Sequence, residues 1–213
     1  MTDGTIHVID DDMGVRDSLI MLLDAAGMSA AAYADAESFL ARVGNHRAEP
    51  GCIVADVRMP GMGGLRLLRH LQDKGFEMPV VVITGHADVP MAVQALKEGA
   101  ADFIEKPFDD ELFLRSVRSA LDHGRRAYLE RCRRADIQAR FVTLTPRERE
   151  VMMLVVQGLP NKAAAVELGI SVRTVEIHRA RVMEKMAADS LSALVRMALD
   201  LADMNAGLLP VPA

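Results

Sequence analysis

The chain has 213 residues, of which 50% are hydrophobic and 26% charged, a composition typical of globular proteins. This length permits one large domain or two smaller ones. No hydrophobic run approaches the ~20 residues of a membrane-spanning helix, and the acidic start predicts no signal peptide, so we expect a cytoplasmic protein without a membrane partner. Cys52 and Cys132 are far apart in the sequence, which argues against a disulfide or a zinc site.

The net charge of −5 is distributed unevenly along the chain. Residues 1–122 contain 11 basic and 20 acidic side chains, whereas residues 123–213 contain 14 and 10. An acidic first part followed by a mildly basic second part predicts two domains with different partners. The basic excess is compatible with nucleic acid binding but is also usual on solvated helical faces.

Short hydrophobic runs alternate with helical periodicity through the first 120 residues. The predicted strands cover residues 6–9, 29–33, 52–56, 79–83 and 102–104. Each is followed by a segment with hydrophobic residues at spacings of three and four, which is typical of a helix packed on a sheet. Five strands alternating with five helices predict an α/β domain with a doubly wound parallel sheet.

Polar side chains follow four of the five predicted strands. The first strand ends at Asp10 and Asp11, the third at Asp56, the fourth at Thr84 and the fifth at Lys106. If the strand order is 2-1-3-4-5, the first and third strands flank the point where the order reverses, and such sheets bind ligands there. Each residue alone could be an ordinary turn former or cap, but four matching strand ends predict a reactive site.

Three carboxylates this close raise one another's pKa unless a cation lies among them. Mg²⁺ prefers oxygen ligands and commonly takes one or two carboxylates together with phosphate oxygens. The remaining groups fit phosphoryl transfer, since Asp56 can act as the nucleophile that forms an acyl phosphate. Lys106 and Mg²⁺ can neutralise the transferring group, and Thr84 can donate a hydrogen bond to it.

These residues resemble the motif set of two-component response-regulator receiver domains over residues 5–122. The resemblance is carried by Asp10-Asp11, Asp56, Thr84 and Lys106-Pro107. It implies that Asp56 accepts a phosphoryl group from a sensor histidine kinase. It also implies that Asp11, Asp56 and the main-chain carbonyl of Arg58 hold Mg²⁺, with help from Asp10.

The same resemblance implies a switch. Thr84 and Phe103 would form a switch pair. The hydroxyl of Thr84 would move toward the phosphoryl group, and the ring of Phe103 would move with that hydroxyl. The Lys106-Pro107 peptide bond would be cis, which marks a fixed turn. Asp12 stands next to the acidic pair, and we interpret it as a loop or cap residue.

Residues 123–140 form a polar stretch with six arginines. Little in it repeats at the spacing of a buried helical face, so we predict an exposed, partly helical connector. The basic side chains could contact DNA phosphates or could simply be solvated.

The second part of the chain has the signals of a small helical domain. Thr145-Pro146-Arg147-Glu148 is a capping box with proline at the first helical position. This helix stops at Gly158-Leu159-Pro160, Asn161 and Ser171 are predicted caps of the next two helices, and a fourth runs over about 191–204. Two short helices joined by a glycine-containing turn, the second carrying basic residues, predict a helix-turn-helix.

Over about residues 142–204 the chain resembles the DNA-binding domain of the NarL/FixJ (LuxR-type) regulators. The supporting motifs are Leu144-Thr145-x-Arg147-Glu148-x-Glu150-Val151, Asn161-Lys162 and Thr174-Val175-Glu176-Ile177-His178. The resemblance implies that Glu176, Ile177 and Ala180 face bases. Glu176 could accept from a cytosine amino group and Ile177 could touch a thymine methyl.

Other residues of this domain are candidates for contacts that position the protein on DNA without specifying sequence. The candidate phosphate contacts are Lys162, Arg173, Thr174, His178, Arg179 and Arg181. His178 could equally be a packed side chain. The last helix resembles the family's dimerisation helix, although its hydrophobic stripe could simply close the small core.

The predicted organisation is a receiver over 1–122, a connector over 123–141, a helix-turn-helix domain over 142–205 and a tail over 206–213. We predict a transcription factor, not an enzyme, that is activated when a sensor kinase phosphorylates Asp56. The predicted partners are a second copy of the chain, promoter DNA and RNA polymerase. The alternatives are a Mg²⁺-dependent phosphohydrolase and a constitutive regulator that is independent of phosphorylation.

Further motifs are similar to the FixJ branch of this family. They are Asp102-Phe103-Ile104-Glu105-Lys106-Pro107-Phe108 and Leu159-Pro160-Asn161-Lys162. This similarity implies an oxygen-linked sensor kinase and the control of nitrogen-fixation or microaerobic genes.

Overall fold

The computed structural model of the protein describes residues 4–43, 49–85 and 89–204. The chain divides into two units, Met1–Glu130 and Arg131–Ala213. The domain boundaries expected from the sequence stay predictions, and the predicted tail, residues 206–213, lies outside the described residues. No helix within the described ranges is long and apolar enough to cross a membrane.

Strands and helices alternate through the first unit, whereas the second unit is helical. The first unit contains β1 (Thr5–Ile9), α1 (Met13–Ala25), β2 (Ala30–Tyr33), α2 (Ala36–Val43), β3 (Gly51–Asp56), α3 (Gly64–Asp73), β4 (Val80–Thr84), α4 (Val89–Lys97), β5 (Asp102–Glu105) and the first part of α5 (Asp110–Val142). The second contains the last part of α5, then α6 (Pro146–Val156), α7 (Asn161–Leu168), α8 (Val172–Met186) and α9 (Leu191–Met204).

The five strands form one parallel sheet in the order β2-β1-β3-β4-β5. This confirms the predicted α/β class and the predicted strand order. The central strand β3 is buried along its whole length. Its side chains alternate between two hydrophobic clusters, with Ile53 and Ala55 in one and Cys52 and Val54 in the other. Such a strand lacks polar alternation because helices cover both faces of the sheet.

Helix α5 is longer than the sequence predicted. We predicted an exposed, partly helical connector over residues 123–140, but α5 continues through this stretch without interruption to Val142. Arginine and alanine, which are frequent in this stretch, are good helix formers even where no hydrophobic stripe exists. One hydrophobic residue of the supposed connector, Ile137, is buried in the core of the second unit.

Helices α6 to α9 and the end of α5 enclose a single hydrophobic cluster. Helix α7 ends at Leu168, and the cap residue Gly169 has a left-handed φ of 64°, a conformation that glycine adopts at helix ends without strain. The side chain of Ser171 then caps α8 by accepting from the N–H of Thr174. The predicted helix-turn-helix is therefore confirmed as α7 and α8.

The helix caps of the second unit were predicted correctly with one exception. The capping box of Thr145 and Glu148 is formed at the start of α6. Asn161, however, is not the cap of α7, because Pro160 occupies the N-cap position and makes no side-chain hydrogen bond there. Asn161 is instead the first residue of the helix, and its side chain contacts α8.

We expect Gly124→Ala to destabilise the first unit. A methyl group at Gly124 in α5 would overlap the main-chain oxygen of Gly51 and lie 3.0 Å from Cδ of Pro79. Overpacking of this kind should lower the free energy of unfolding by about 1–3 kcal/mol, outweighing the roughly 1 kcal/mol that alanine gains over glycine within a helix. Urea unfolding measures the change.

The matched control is Ser119→Ala at an exposed position of the same helix, which should change stability by less than about 0.5 kcal/mol. Equal stability of Gly124→Ala and the wild type would contradict the close approach of α5 to the start of β3.

Candidate functional site

Three strand ends bring two carboxylates and an ammonium group into direct contact. Ile9 of β1 lies opposite Ala55 of β3, so Asp10 and Asp56 follow at the same edge of the sheet. Nζ of Lys106 lies 2.6 Å from Oδ2 of Asp10 and 2.8 Å from Oδ1 of Asp56. The structure thus brings together three of the residues that the sequence predicted for one site.

Both carboxylates are removed from solvent, and Lys106 is the cation that compensates them. Asp10 is 1% exposed and Asp56 is 6% exposed, so each has lost most of its hydration. Burial alone would lower the pKa of Lys106, but hydrogen bonds to Asp10 and Asp56 and their charges raise it above its ordinary value. Lys106 is therefore positively charged at neutral pH, and the formal charges of the three groups sum to −1.

The turn after β3 holds the other oxygen of Asp56. The main-chain N–H of Arg58 donates to Oδ2 of Asp56 at 2.5 Å. A side chain at Gly63 would overlap the main-chain oxygen of Val57, and one at Gly64 would overlap that of Asp56. These two glycines let the chain return close to Asp56. This role was not predicted, although two adjacent glycines before a helix indicate a close approach of the main chain.

The turn between β1 and α1 is closed by several hydrogen bonds. Asp12 caps α1 by accepting from the N–H of Val15 at 3.1 Å, which confirms its predicted role. The N–H of Asp12 donates to Oδ1 of Asp10 at 2.9 Å, and Nη1 of Arg16 donates to the main-chain oxygen of Asp10 at 2.7 Å. Arg16 was not predicted, because an arginine in a surface helix has no distinctive sequence signal.

The donor set suits a hard divalent cation. The candidate ligands are the carboxylates of Asp11 and Asp56 and the carbonyl of Arg58, all of them oxygen atoms of the kind Mg²⁺ prefers. With Asp10 and Lys106 included, the local charge is −2, which a divalent ion would balance. Within the described ranges no three acidic, histidine or cysteine side chains stand close enough to enclose a metal, and Mg²⁺ commonly retains several waters.

The remaining predicted residues of this site lie on β4 and β5. Thr84 ends β4 and is fully buried, and its main-chain oxygen accepts from the N–H of Lys106 at 2.7 Å. Phe103 lies opposite Val82 and packs, half-buried, against the cluster on the α3 side of the sheet. The Lys106–Pro107 peptide bond is cis, as expected. The switch role of Thr84 and Phe103 stays a prediction.

The predicted base-reading residues share one face of α8. Glu176, Ile177 and Ala180 are exposed, and their spacings of one and three place them on the same side of the helix. Val175 and Val182 on the other side are buried. The helix therefore has a packed face and a face available to a groove of DNA.

The predicted phosphate-contacting residues divide into two groups. Those that are exposed are Lys162, Arg173 and Arg181. Those that are half-buried are Thr174, His178 and Arg179. Nη1 of Arg179 donates to Oδ1 of Asn161 at 3.1 Å and so joins α8 to α7. Nδ1 of His178 is buried and has no hydrogen-bond partner in the described part of the chain.

Glu148 connects the start of α6 to the end of α8. Its carboxylate accepts from the N–H of Thr145 at 2.8 Å and from Nζ of Lys185 at 2.6 Å. The hydrogen bond from Lys185, followed by that from Thr145, lowers the pKa of Glu148 from its ordinary 4.5 to about 2. Sequence reasoning found the capping box but not Lys185, which is 37 residues away.

Both parts of the chain match known protein families. The response regulator receiver domain matches residues 6–118. The luxR family of bacterial regulatory proteins matches residues 142–198.

Similar proteins match over nearly the whole chain. The transcriptional regulatory protein FixJ of Rhizobium meliloti is 50% identical over 199 residues, covering 93% of this chain and 97% of that protein. The C4-dicarboxylate transport transcriptional regulatory protein DctR of Rhodobacter capsulatus is 44% identical, covering 91% and 98%. Among solved structures, the response regulator StyR is 38% identical with a TM-score of 0.82, covering 92% and 98%. Full-length FixJ from B. japonicum is 46% identical with a TM-score of 0.56, covering 96% and 99%.

The low pKa of Glu148 predicts acid-sensitive stability in the second unit. Because its folded-state pKa of about 2 lies below the ordinary 4.5, its stabilising contribution is complete above about pH 4.5 and is lost as the pH falls toward 2. With solvent screening at the partly exposed Lys185 included, the contribution is on the order of 2 kcal/mol.

Unfolding measured between pH 6 and pH 3 should therefore show a shallower loss of stability in Glu148→Gln than in the wild type. Glu150→Gln, which removes a carboxylate from an exposed pair with Arg147, is the matched control and should keep the wild-type slope. Parallel curves for all three proteins would contradict the assignment.

Proposed function

Since the chain belongs to the response regulators with a LuxR-type DNA-binding domain, we propose that Asp56 accepts the phosphoryl group that controls its DNA binding. The chain is thus a phosphorylation-activated transcriptional regulator of a two-component system, with a sensor kinase and DNA as partners. The observation that supports Asp56 is its position. It is the buried carboxylate that both meets the Lys106 ammonium and ends the central strand.

The proposed reaction is an in-line transfer from a phosphohistidine of the sensor kinase. An oxygen of Asp56 forms a new bond to phosphorus as the phosphorus–nitrogen bond breaks, and the leaving imidazole keeps the electron pair. Lys106 already contacts Asp56, so its ammonium is in place to offset the charge of the incoming group. Thr84 would donate its hydroxyl to a phosphoryl oxygen.

Asp11, Asp56 and the carbonyl of Arg58 would hold Mg²⁺ at this site. The bound ion would neutralise charge on the phosphoryl oxygens. Asp10 would contribute indirectly, because its carboxylate holds Lys106 and the turn that carries Asp11.

Phosphorylation would then be transmitted to the surface formed by α4 and β5. Movement of Thr84 toward the phosphoryl group would let Phe103 repack. Three hydrophobic residues of α4, Val89, Val93 and Leu96, are exposed and would become the contact between two copies of the chain. Paired chains match a two-fold symmetric DNA site.

In the DNA complex, the exposed face of α8 would enter the major groove. Glu176, Ile177 and Ala180 would face base edges, while Lys162, Arg173 and Arg181 would contact phosphates. Thr174 and His178 are candidates for further phosphate contacts. Arg179 would have two roles. One guanidinium donor holds α7 against α8 through Asn161, and the remaining donors could contact a DNA phosphate.

The physiological setting is inferred from similarity to FixJ. We propose a cytoplasmic regulator that recruits RNA polymerase to promoters under oxygen-responsive or nitrogen-fixation control. No step of this proposal requires the chain to act as an enzyme on other substrates.

Acetyl phosphate with Mg²⁺ tests the phosphoacceptor directly. Intact-mass measurement of the wild type should show one added phosphoryl group, and light scattering should show a shift from monomer to dimer. Asp56→Asn should show neither, because its amide is not a nucleophile, whereas Asp17→Asn, at an exposed position of α1, should behave as the wild type.

Steady release of inorganic phosphate without a lasting adduct would indicate a phosphohydrolase instead. A protein that dimerises without either reaction would be a constitutive regulator. Phosphorylation of Asp56→Asn would show that another residue is the acceptor.

Two substitutions distinguish the kinds of DNA contact. Lys162→Ala should weaken binding to every sequence and lower the slope of log affinity against log salt by about 1, because one phosphate contact is lost. Glu176→Ala should relax the preference at one base pair by about 1–3 kcal/mol and leave the salt dependence unchanged. Binding-site selection followed by titration at several salt concentrations measures both effects. Equal loss of sequence preference in the two variants would contradict the assignment of contacts.

A further inference from the structure

Arg16 of α1 is hydrogen-bonded to the acidic turn that precedes its helix. Its guanidinium Nη1 donates to the main-chain oxygen of Asp10 at 2.7 Å. Its main-chain N–H donates to the oxygen of Asp12 at 3.0 Å. Arg16 therefore spans the turn and holds the peptide unit that joins Asp10 to Asp11.

Every oxygen of Asp10 is engaged by a hydrogen-bond donor. Oδ1 accepts from the N–H of Asp12, Oδ2 from Lys106 and the carbonyl oxygen from Arg16. Since Asp10 is also almost completely buried, its side chain is held in one position. Asp10 serves as the fixed base of the turn rather than as an acid open to solvent.

Asp11 differs from both of its acidic neighbours. The carboxylate of Asp12 caps α1 and that of Asp10 is engaged as described. The carboxylate of Asp11 is exposed and contacts no donor within the described part of the chain. It is the carboxylate of this turn that remains available to a cation.

We propose that Arg16 is a positioning residue for Mg²⁺. By fixing the carbonyl of Asp10 it sets the direction of the following peptide and so holds the carboxylate of Asp11 toward the metal position. This proposal rests on the proposed function, in which Asp11 and Asp56 are metal ligands. Groups that orient metal ligands without touching the ion typically change affinity by 10- to 100-fold.

Because Arg16 is positively charged, the direction in which its replacement changes Mg²⁺ affinity tests the proposal. A guanidinium near a cation site repels the incoming Mg²⁺, so removing only this charge should tighten binding. Removing a group that positions Asp11 should weaken binding. The two explanations therefore predict opposite changes in the Mg²⁺ dissociation constant of the same variant.

The experiment measures Mg²⁺ binding to the full chain by isothermal titration calorimetry, without a phosphodonor. Arg16→Gln removes the charge and is too short to reach the Asp10 carbonyl, and we expect about 10- to 100-fold weaker binding. Arg16→Lys keeps the charge and a donor, and it should recover part of the loss. Arg66→Met is the control, since it removes an exposed arginine of α3 and should leave binding unchanged or slightly tighter.

Unfolding in EDTA separates positioning from a general loss of structure. Arg16→Gln should remain folded with close to wild-type stability, and if it does not, Arg16→Met provides the same loss of charge and donor with a helix-favouring side chain. Binding by these variants as tight as or tighter than that of the wild type would overturn the positioning role alone. Failure of the wild type itself to bind Mg²⁺ would overturn the proposed function instead.

Discussion

The contact of one ammonium group with two buried carboxylates is the constraint on which the first unit depends. Lys106 comes from the end of β5, Asp10 from the end of β1 and Asp56 from the end of β3. Removing Lys106 would leave two buried carboxylates without a cation, and an uncompensated buried charge costs about 3–5 kcal/mol. The strand order must therefore bring all three strand ends to one edge of the sheet, and the glycine turns and the cap of α1 follow from that requirement.

A site built in this way keeps an unbalanced negative charge. One lysine does not neutralise two carboxylates, and Asp11 adds a third that the protein leaves unpaired within the described residues. A divalent ion removes this imbalance only when it is bound, so the metal and the phosphoryl group would each be stabilised by the presence of the other. The same imbalance explains why a turn this acidic needs Arg16 and two main-chain N–H groups to keep its shape.

The sequence predicted the features that obey simple periodic rules. Hydrophobic runs identified β3 and its neighbours, and the polar residue after each run identified Asp10, Asp56 and Lys106. Features that depend on distant partners were not predictable. The Lys185–Glu148 pair joins residues 37 positions apart, and the extent of α5 depends on burial of Ile137 by helices that follow it in the chain. The side chain of Asn161 suits a helix cap, which explains the wrong prediction, and its hydrogen bond to Arg179 has no sequence signal.

Phosphorylation of Asp56 would add negative charge beside Lys106, and this bears on how the signal could be transmitted. A phosphoryl group carries about −1.5 to −2 charges at pH 7, and Lys106 cannot fully satisfy both it and Asp10. The arrival of that group would therefore redistribute the hydrogen bonds of Lys106. Phe103 lies in β5, and Lys106 is the first residue after that strand, so a movement of Lys106 would be transmitted to the Phe103 ring. A phosphoryl group can shift the receiver between two conformations only if it is bound more favourably in one of them. Competition between the phosphoryl group and Asp10 for Lys106 would supply such a difference.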